Sequence, residues 1–303
     1  MRKIILLIIL MSFWNNTQAC DICGCANGGS FMGLLPNMNQ QLIGIRYFSK
    51  TYNSHLSSKF LGSREHFQTA ELSLRTYPFK NLQMIAFLPY KFNEQVLSYD
   101  GQNKRNEGFG DARVLFHYNM INTAMDTLWL SDFNHQLLIG GGVKAPTGKF
   151  KFNRFGISEV ANANFQLGTG SWDFPIQVIY TLQHKSMGIS LNATYQLNCV
   201  NENDYRFANR TVLAATLFKS LYTQRLTILP LVGLYVEQAG MDMKSGVKNE
   251  FTGGWLAALN TGIEVYTPRY NLSANAQLPV AQNLSDGELA FKSMFSVGIS
   301  RSF

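Results

Sequence analysis

Three cysteines lie within six residues near the start of the chain. The run Cys20-Asp21-Ile22-Cys23-Gly24-Cys25 places three thiols close enough to converge on one ion. Soft thiolates at this spacing suit Cu(I) or Zn(II), although a closed structural zinc site has four protein ligands. Cys20 and Cys23 also form a C-x-x-C pair, which is typical of thiol–disulfide exchange. The cluster Cys20, Cys23 and Cys25 therefore raises the hypothesis of a copper, zinc or redox site.

An export signal precedes these cysteines. Residues 1–19 begin with Arg2 and Lys3, continue through an apolar core and end at the cleavage site Thr17-Gln18-Ala19. Cleavage there would make Cys20 the first residue, so lipidation of Cys20 and a disulfide in an oxidising compartment are simpler roles for the thiols. Cys199 could pair with one of them only from the periplasmic rim. We predict a signal peptide at 1–19 and a cysteine-containing periplasmic segment at 20–39.

The elements that follow are strands. From residue 42 to Phe303 the sequence repeatedly alternates apolar and polar residues, most clearly in 189–198 and 271–278. A soluble sandwich could use such strands, but the export signal and the aromatic C terminus favour a barrel whose apolar face contacts lipid. Apart from the leader, no apolar run reaches the roughly 18 residues of a membrane helix. We predict an all-β fold for residues 40–303, a single-chain antiparallel transmembrane β-barrel.

The number of strands is less sharply defined than their pattern. Thirteen segments alternate, whereas a single-chain barrel with both ends on one side needs an even number. At about twenty residues per strand and loop, the length predicts about 12 strands, with 14 as the alternative. The weakest stretch is Val160–Leu182, which contains the candidate strands Val160–Leu167 and Phe174–Leu182. Long polar connections such as 94–109 alternate with short ones such as Lys80-Asn81, which is typical of a barrel in the outer membrane of a Gram-negative bacterium.

Charged residues on the polar face are candidates for the lining of a pore. Alternation places Arg46, Glu71, Arg75 and Arg113 inside the barrel, and His117 shares the face of Arg113. Unlike charges can pair across neighbouring strands and narrow a channel. The histidines have no metal-ligand spacing and no motif nominates a nucleophile, so we predict no enzyme and no cofactor for the barrel itself. The net charge of +7 is dispersed, which argues against nucleic acid as a partner.

Four motifs resemble those of a family of outer-membrane barrels that is named for the meta pathway of phenol degradation and described as transporters. They are Gly108-Phe109-Gly110-Asp111, Lys144-Ala145-Pro146-Thr147-Gly148-Lys149, Leu167-Gly168-Thr169-Gly170-Ser171-Trp172-Asp173 and Val297-Gly298-Ile299-Ser300-Arg301-Ser302-Phe303. The resemblance implies an outer-membrane barrel and a passive channel for small molecules, apolar ones among them. The cysteine cluster departs from the usual family pattern. The first three motifs also have a structural explanation, because Gly and Pro end strands and permit tight turns.

Two functions follow from these patterns. The first is a passive outer-membrane channel or transporter for small-molecule solutes, with selectivity set by pore width and wall charge. The second is a barrel that anchors a copper- or zinc-binding or redox cluster in the periplasm. Phe303, at the end of an alternating segment, resembles the recognition signal of the barrel-assembly machinery. That machinery and outer-membrane lipid are therefore expected partners, whereas the solute and the oligomeric state are not predicted.

Overall fold

The computed structural model describes residues 40–58, 62–126, 131–150 and 165–303. In this part of the chain the strands are β1 (Leu42–Ser54), β2 (Ser63–Phe79), β3 (Leu82–Leu97), β4 (Asn103–Phe109), β5 (Arg113–Asn122), β6 (Phe133–Lys144), β7 (Asp173–His184), β8 (Met187–Asn198), β9 (Tyr205–Arg206), β10 (Arg210–Lys219), β11 (Leu221–Tyr222), β12 (Thr227–Ala239), β13 (Met243–Lys244), β14 (Val247–Lys248), β15 (Gly254–Tyr266), β16 (Tyr270–Leu284) and β17 (Leu289–Ser302). Two 3₁₀ turns, Thr123–Met125 and Ser285–Gly287, complete the elements. None of the helices in these ranges is long and apolar enough to cross a membrane.

The strands close into a barrel. Each wall strand pairs antiparallel with the next along the chain, and β17 pairs with β1 to complete the ring. β4 and β5 pair in succession with β3, so together they form one wall strand that is interrupted at residues 110–112. β11 pairs only with the end of β12, and β9, β13 and β14 form a separate small sheet. The wall therefore has 12 strands, which confirms the predicted fold.

Side chains of opposite polarity line the two faces of the wall. In β1, Ile45 is 58% exposed on the outside whereas its neighbour Arg46 is 5% exposed on the inside. The same alternation continues in β12, where Leu234 is exposed and Glu237 is buried. Apolar residues that would form the core of a soluble protein thus face outward. This distribution is stable only where lipid replaces water around the barrel.

The two ends of the barrel differ. Leu42 at the start of β1 pairs with Ser302 at the end of β17, so both chain termini meet at one end, which we name the terminal end. The connections there include the short turns 80–81 and 185–186. The opposite end, which we name the loop end, carries the connection 145–172 and the small sheet. Unequal connections of this kind are typical of outer-membrane barrels.

The predictions for two stretches of the chain differ from the structure of their described residues. Val160–Leu167 was expected to be a strand, but residues 165–167 form none, and the side chains of Phe165 and Leu167 are buried; residues 160–164 lie outside the described ranges. These apolar residues fill the interior instead of the wall. The stretch 94–109 was expected to be a loop, but only 98–102 connects β3 to β4. Most of the outward residues of β3 and β4 in this stretch are polar, because the two strands extend beyond the apolar part of the outer surface that contacts lipid.

Candidate functional site

The barrel interior holds every charged residue that the sequence nominated. Arg46, Glu71, Arg75 and Arg113 are each at most 8% exposed, and His117 is fully buried. Alternation along β1, β2 and β5 turns all of them inward. All five side chains thus lie inside the barrel, so the interior is the candidate functional site; that they line a pore stays a prediction.

Glu71 joins two of these cations. It stands opposite Arg46 in the β1–β2 ladder, and its Oε1 lies 2.5 Å from an Nη of Arg46. Its Oε2 accepts a hydrogen bond of 2.8 Å from Arg113 on β5. The two guanidinium groups also lie 4.9 Å from the ring centroids of Phe48 and Phe87. One carboxylate thus fixes two cations on the inner wall, and the trio has a net charge of +1.

A second charged group continues this wall. Lys144 is the ladder neighbour of Arg113 on one side and of Asp173 on the other. Its ammonium group forms an ion pair with Asp173 and lies 3.3 Å from Oδ2 of Asp111. All three side chains are buried. Sequence analysis missed this group because Asp111 and Asp173 occur in glycine-rich motifs that suggested turns. We name Arg46, Glu71, Arg113, Lys144 and Asp173 the charged belt.

Three of the family motifs meet at the end of the charged belt. The backbone N–H groups of Gly148 and Thr169 donate to the two carboxylate oxygens of Asp111, at 3.0 and 2.8 Å. The Thr169 hydroxyl accepts a bond of 2.8 Å from Lys144, and the Ser171 hydroxyl donates to Asp173 at 2.9 Å. The motifs therefore attach residues 165–171, which we name the inward segment, to the inner wall.

Glycine is required at position 168, where the inward segment contacts Gly148 near the start of the connection 145–172. A Cβ built on Gly168 would lie 2.3 Å from Oδ1 of Asp111 and 2.7 Å from the carbonyl oxygen of Gly148. Any side chain at position 168 would displace the carboxylate that anchors the segment. The glycines of these motifs thus permit close approach of two backbones rather than a tight reversal alone.

The inward segment reaches into the barrel. Its Phe165 carbonyl accepts hydrogen bonds from the amides of Asn93 at 3.1 Å and Asn106 at 2.9 Å, two residues on neighbouring wall strands. The Phe165 ring lies 6.4 Å from the ring of Phe67, and Leu167 is 2% exposed. The inward segment thus occupies part of the interior in the loop-end half of the barrel, on the side where the charged belt lies.

A cavity lies next to the belt on the side of the terminal end. It contains about 470 Å³ of space, part of it open to solvent, and its charged lining consists of Arg46, Glu71 and Glu264. Tyr266 also lines it and donates its hydroxyl hydrogen bond to Glu264. Small residues such as Ser273, contributed by the strands on either side of the β1–β17 closure, leave room for it. The space that the centre of a water molecule can occupy there is about 30 Å³, which is room for about two water molecules.

His117 belongs to an uncharged part of the wall. Its Nε2 lies 2.8 Å from Oε1 of Gln177, and the Gln177 amide donates to Asn192 at 3.1 Å and to Thr194 at 3.0 Å. These residues occupy the inner faces of β5, β7 and β8. The wall beside the belt is thus polar but neutral.

Apolar side chains are also buried on the inner face of the loop-end half. A cluster of buried side chains extends there from β10 across β15 to β1, and we name it the apolar cluster. Its members are Tyr52, Val212, Tyr235, Leu256, Ala258, Leu284, Leu289, Phe291 and Met294. The loop-end half thus holds hydrocarbon beside further buried charges, among them Glu65 and the ion pair of Arg210 with Glu237 at 3.0 Å.

The candidate cysteine site falls in a part of the chain that the structure does not describe. Cys20, Cys23 and Cys25 precede residue 40 and lie outside the described residues. Cys199 is an exposed free thiol that follows β8 at the loop end, whereas residue 40 lies at the terminal end. Within the described ranges no group of three or more His, Cys, Asp or Glu residues is placed to hold a metal ion.

Solved structures share this architecture. An outer membrane channel from Pseudomonas putida F1 is 16% identical, with a TM-score of 0.59 and coverage of 87% of this chain and 96% of that chain. The β domain of the Bordetella autotransporter BrkA is 11% identical, with a TM-score of 0.52 and coverage of 87% and 100%. At these identities the likeness establishes the outer-membrane barrel fold. No curated protein matches the sequence.

The family follows from a match along most of the barrel. A family model described as "Putative MetA-pathway of phenol degradation" matches residues 69–283. The match covers more than half of the chain and includes the three motifs that meet at Asp111, Lys144 and Asp173. The chain therefore belongs to this family of outer-membrane barrels.

Proposed function

We propose that the protein is a passive outer-membrane channel that lets small solutes cross through the barrel interior. The observation that supports it most strongly is the closed wall with apolar residues outside and the charged belt inside. A barrel that served only as an anchor would have no use for a buried wall of arginine, lysine and carboxylate groups. Burial of charged groups costs desolvation free energy even when they are paired. Their presence in the wall therefore favours a functional role. The proposal needs no cofactor and no chemical step.

We place the narrowest part of the proposed path between the inward segment and the apolar cluster. Phe165 and Leu167 project from one side of the interior, and Tyr52 and Phe291 occupy the other. A solute that enters from the loop end would pass along the charged belt and then reach the cavity beside Glu264. Passage therefore depends first on size and then on contacts with Arg46 and Arg113.

The orientation of the channel follows from its two ends. We propose that the terminal end faces the periplasm and the loop end faces the outside of the cell, since outer-membrane barrels have short periplasmic turns and longer outer loops. Phe303 is exposed at the terminal end, where the assembly machinery could bind it. The segment 20–39 would then lie in the periplasm, and its copper, zinc or redox role stays a prediction from the sequence.

Solute flux into vesicles tests the channel. The refolded protein is reconstituted into liposomes, and swelling is recorded by light scattering with neutral sugars of increasing size. We expect the smallest sugars to enter faster than in protein-free vesicles and the rate to fall steeply as the sugar grows. Equal rates with and without protein for every solute would contradict the proposal.

A further inference from the structure

The outer surface of three neighbouring strands becomes polar toward the loop end. On β17 the outward apolar residues end at Phe295, which is 57% exposed, and Ser293 and Lys292 follow it toward the loop end. On β1 the corresponding change comes after Tyr47, which is 40% exposed. We name the polar surface beyond these two aromatic residues the outer patch. Its members, on β1, β2 and β17, are Thr51, Asn53, Arg64, His66, Lys292 and Ser293.

The ladders bring the members of the outer patch together. Asn53 on β1 stands opposite Arg64 on β2. Thr51 on β1 stands opposite His66 on β2 and opposite Ser293 on β17. The Thr51 hydroxyl oxygen also lies 3.2 Å from Nδ1 of His66. The outer patch is therefore continuous across three strands of the wall.

Both cations of the outer patch point away from the interior. Arg64 is exposed, whereas Ser63 and Glu65 on either side of it are buried inside the barrel. Lys292 is the extra residue of a bulge in the β1–β17 ladder, and Phe291 before it is buried inside. The side chain of Lys292 itself is exposed. Neither cation therefore belongs to the charged lining of the interior.

An excess of positive charge distinguishes the outer patch. Within the described ranges neither Arg64 nor Lys292 forms an ion pair. Glu94 on β3 stands opposite His66, but its carboxylate is bonded to Arg105 at 3.0 Å. The patch thus has two cationic residues and no carboxylate among its members. Its charge is complementary to that of an anionic group.

A phosphate group is the anion that this arrangement suits. Neighbouring strands lie about 4.8 Å apart, so the backbones that carry Arg64 and Lys292, on strands two apart, are separated by about 10 Å. Both side chains are long enough to converge from the two sides, and Thr51 lies on the strand between them. A guanidinium group binds phosphate through two parallel hydrogen bonds, and an ammonium group binds it as a point charge.

We propose that the outer patch binds the phosphate groups of lipopolysaccharide in the outer leaflet of the outer membrane. Cations at the edge of an apolar surface attract anionic lipid headgroups, and the exposed residues Tyr47 and Phe295 would lie against the acyl chains of the same lipid. Lipopolysaccharide is the expected lipid because the proposed orientation places the loop end outside the cell. The inference rests on that orientation and does not depend on solute flow through the interior.

Lipid binding by the refolded protein in detergent micelles tests the outer patch. Native mass spectrometry measures the binding of lipid A that carries two phosphates and, separately, of phosphatidylglycerol. We expect the unsubstituted protein to prefer lipid A. We also expect the double variant Arg64→Gln with Lys292→Gln to bind lipid A about tenfold more weakly, because both cations are lost.

A second pair of cations provides the control. The double variant Arg269→Gln with Arg301→Gln removes two exposed charges at the terminal end and should leave the affinity for lipid A unchanged. A heat-modifiable gel shift shows that each variant is folded, and Lys292→Gln alone replaces the first double variant if that one does not fold. Equal affinity of all the proteins for lipid A, or no preference of the unsubstituted protein for lipid A, would overturn the proposal even if the channel conducts.

Discussion

Glu71 lies directly opposite Arg46 across the β1–β2 ladder, with 2.5 Å between its Oε1 and an Nη of that arginine. Its other oxygen is bonded to Arg113, which belongs to a different part of the wall. A single carboxylate thus ties β1 and β2 to β5 on the inner face. Since both guanidinium groups are buried, Arg46, Glu71 and Arg113 form one electrostatic unit.

Removal of the negative charge at Glu71 should therefore weaken the barrel and change its selectivity. In Glu71→Gln two buried cations lose their counter-charge, and we expect a cost of about 3 kcal/mol in the free energy of unfolding. We also expect the reversal potential in a KCl gradient to shift toward chloride. Urea unfolding in vesicles and bilayer recording measure the two effects. Glu107→Gln, an exposed change of the same kind, should leave both within error, and equal behaviour of the two variants would contradict the role of Glu71.

The inward segment should detach from the inner wall when the ammonium group of Lys144 is removed. Lys144→Met leaves Asp111 and Asp173 facing each other without the ammonium group between them, and their repulsion should release Thr169 from the wall. We expect a larger and noisier single-channel conductance. Lys185→Met, which removes an exposed ion pair of 3.5 Å with Asp132, serves as the control. It should change neither the size nor the noise of the single-channel conductance. An unchanged conductance in Lys144→Met would show that the segment does not limit the path.

Asp242 makes the loop end sensitive to pH. It lies between β12 and β15, accepts hydrogen bonds from the Tyr205 hydroxyl at 2.5 Å and the Ala208 N–H at 2.7 Å, and is 2% exposed. Burial raises the pKa of its carboxyl from 3.8 to about 6. Because the folded pKa lies above the unfolded one, its contribution to stability is fully present below about pH 3.8 and is lost as the pH rises through about 6.

Hydrogen exchange measures this loss. Between pH 4 and pH 8 the local free energy that protects the Ala208 amide should fall by about 3 kcal/mol, after correction for the intrinsic exchange rate. In Asp242→Asn the protection should no longer depend on pH. Asp204→Asn, an exposed change in the same region, should behave like the unsubstituted protein. Protection that is equally flat in all three proteins would contradict the raised pKa.

Cys199 reports the orientation. It is exposed at the loop end, so a variant that lacks the other three cysteines through Cys20→Ser, Cys23→Ser and Cys25→Ser carries one accessible thiol. We expect a membrane-impermeant maleimide to label it in intact cells, and Cys199→Ser to abolish the signal. Labelling only after the outer membrane has been permeabilised would reverse the proposed orientation.

The sequence predicts the wall well and the interior less well. Alternation alone places Arg46 and Glu71 inside, because the period of two leaves no other face for a charge when lipid surrounds the barrel. It cannot show that Thr169 meets Asp111, since that contact depends on how the long connection 145–172 folds back. The same limit explains why residues 165–167, at the end of the predicted strand, form none, because an apolar segment that fills the interior has the composition of one that faces lipid.

Planar-bilayer conductance tests the central claim most directly, since the claim is a solute path through the closed barrel. The refolded protein is added to one side of a lipid bilayer in KCl, and single insertions are recorded. We predict discrete conductance steps of uniform size, with selectivity that shifts in Glu71→Gln. Insertions that are confirmed by gel shift and by recovery of the protein from the bilayer lipid, yet show no steps above the bare membrane, would contradict the account.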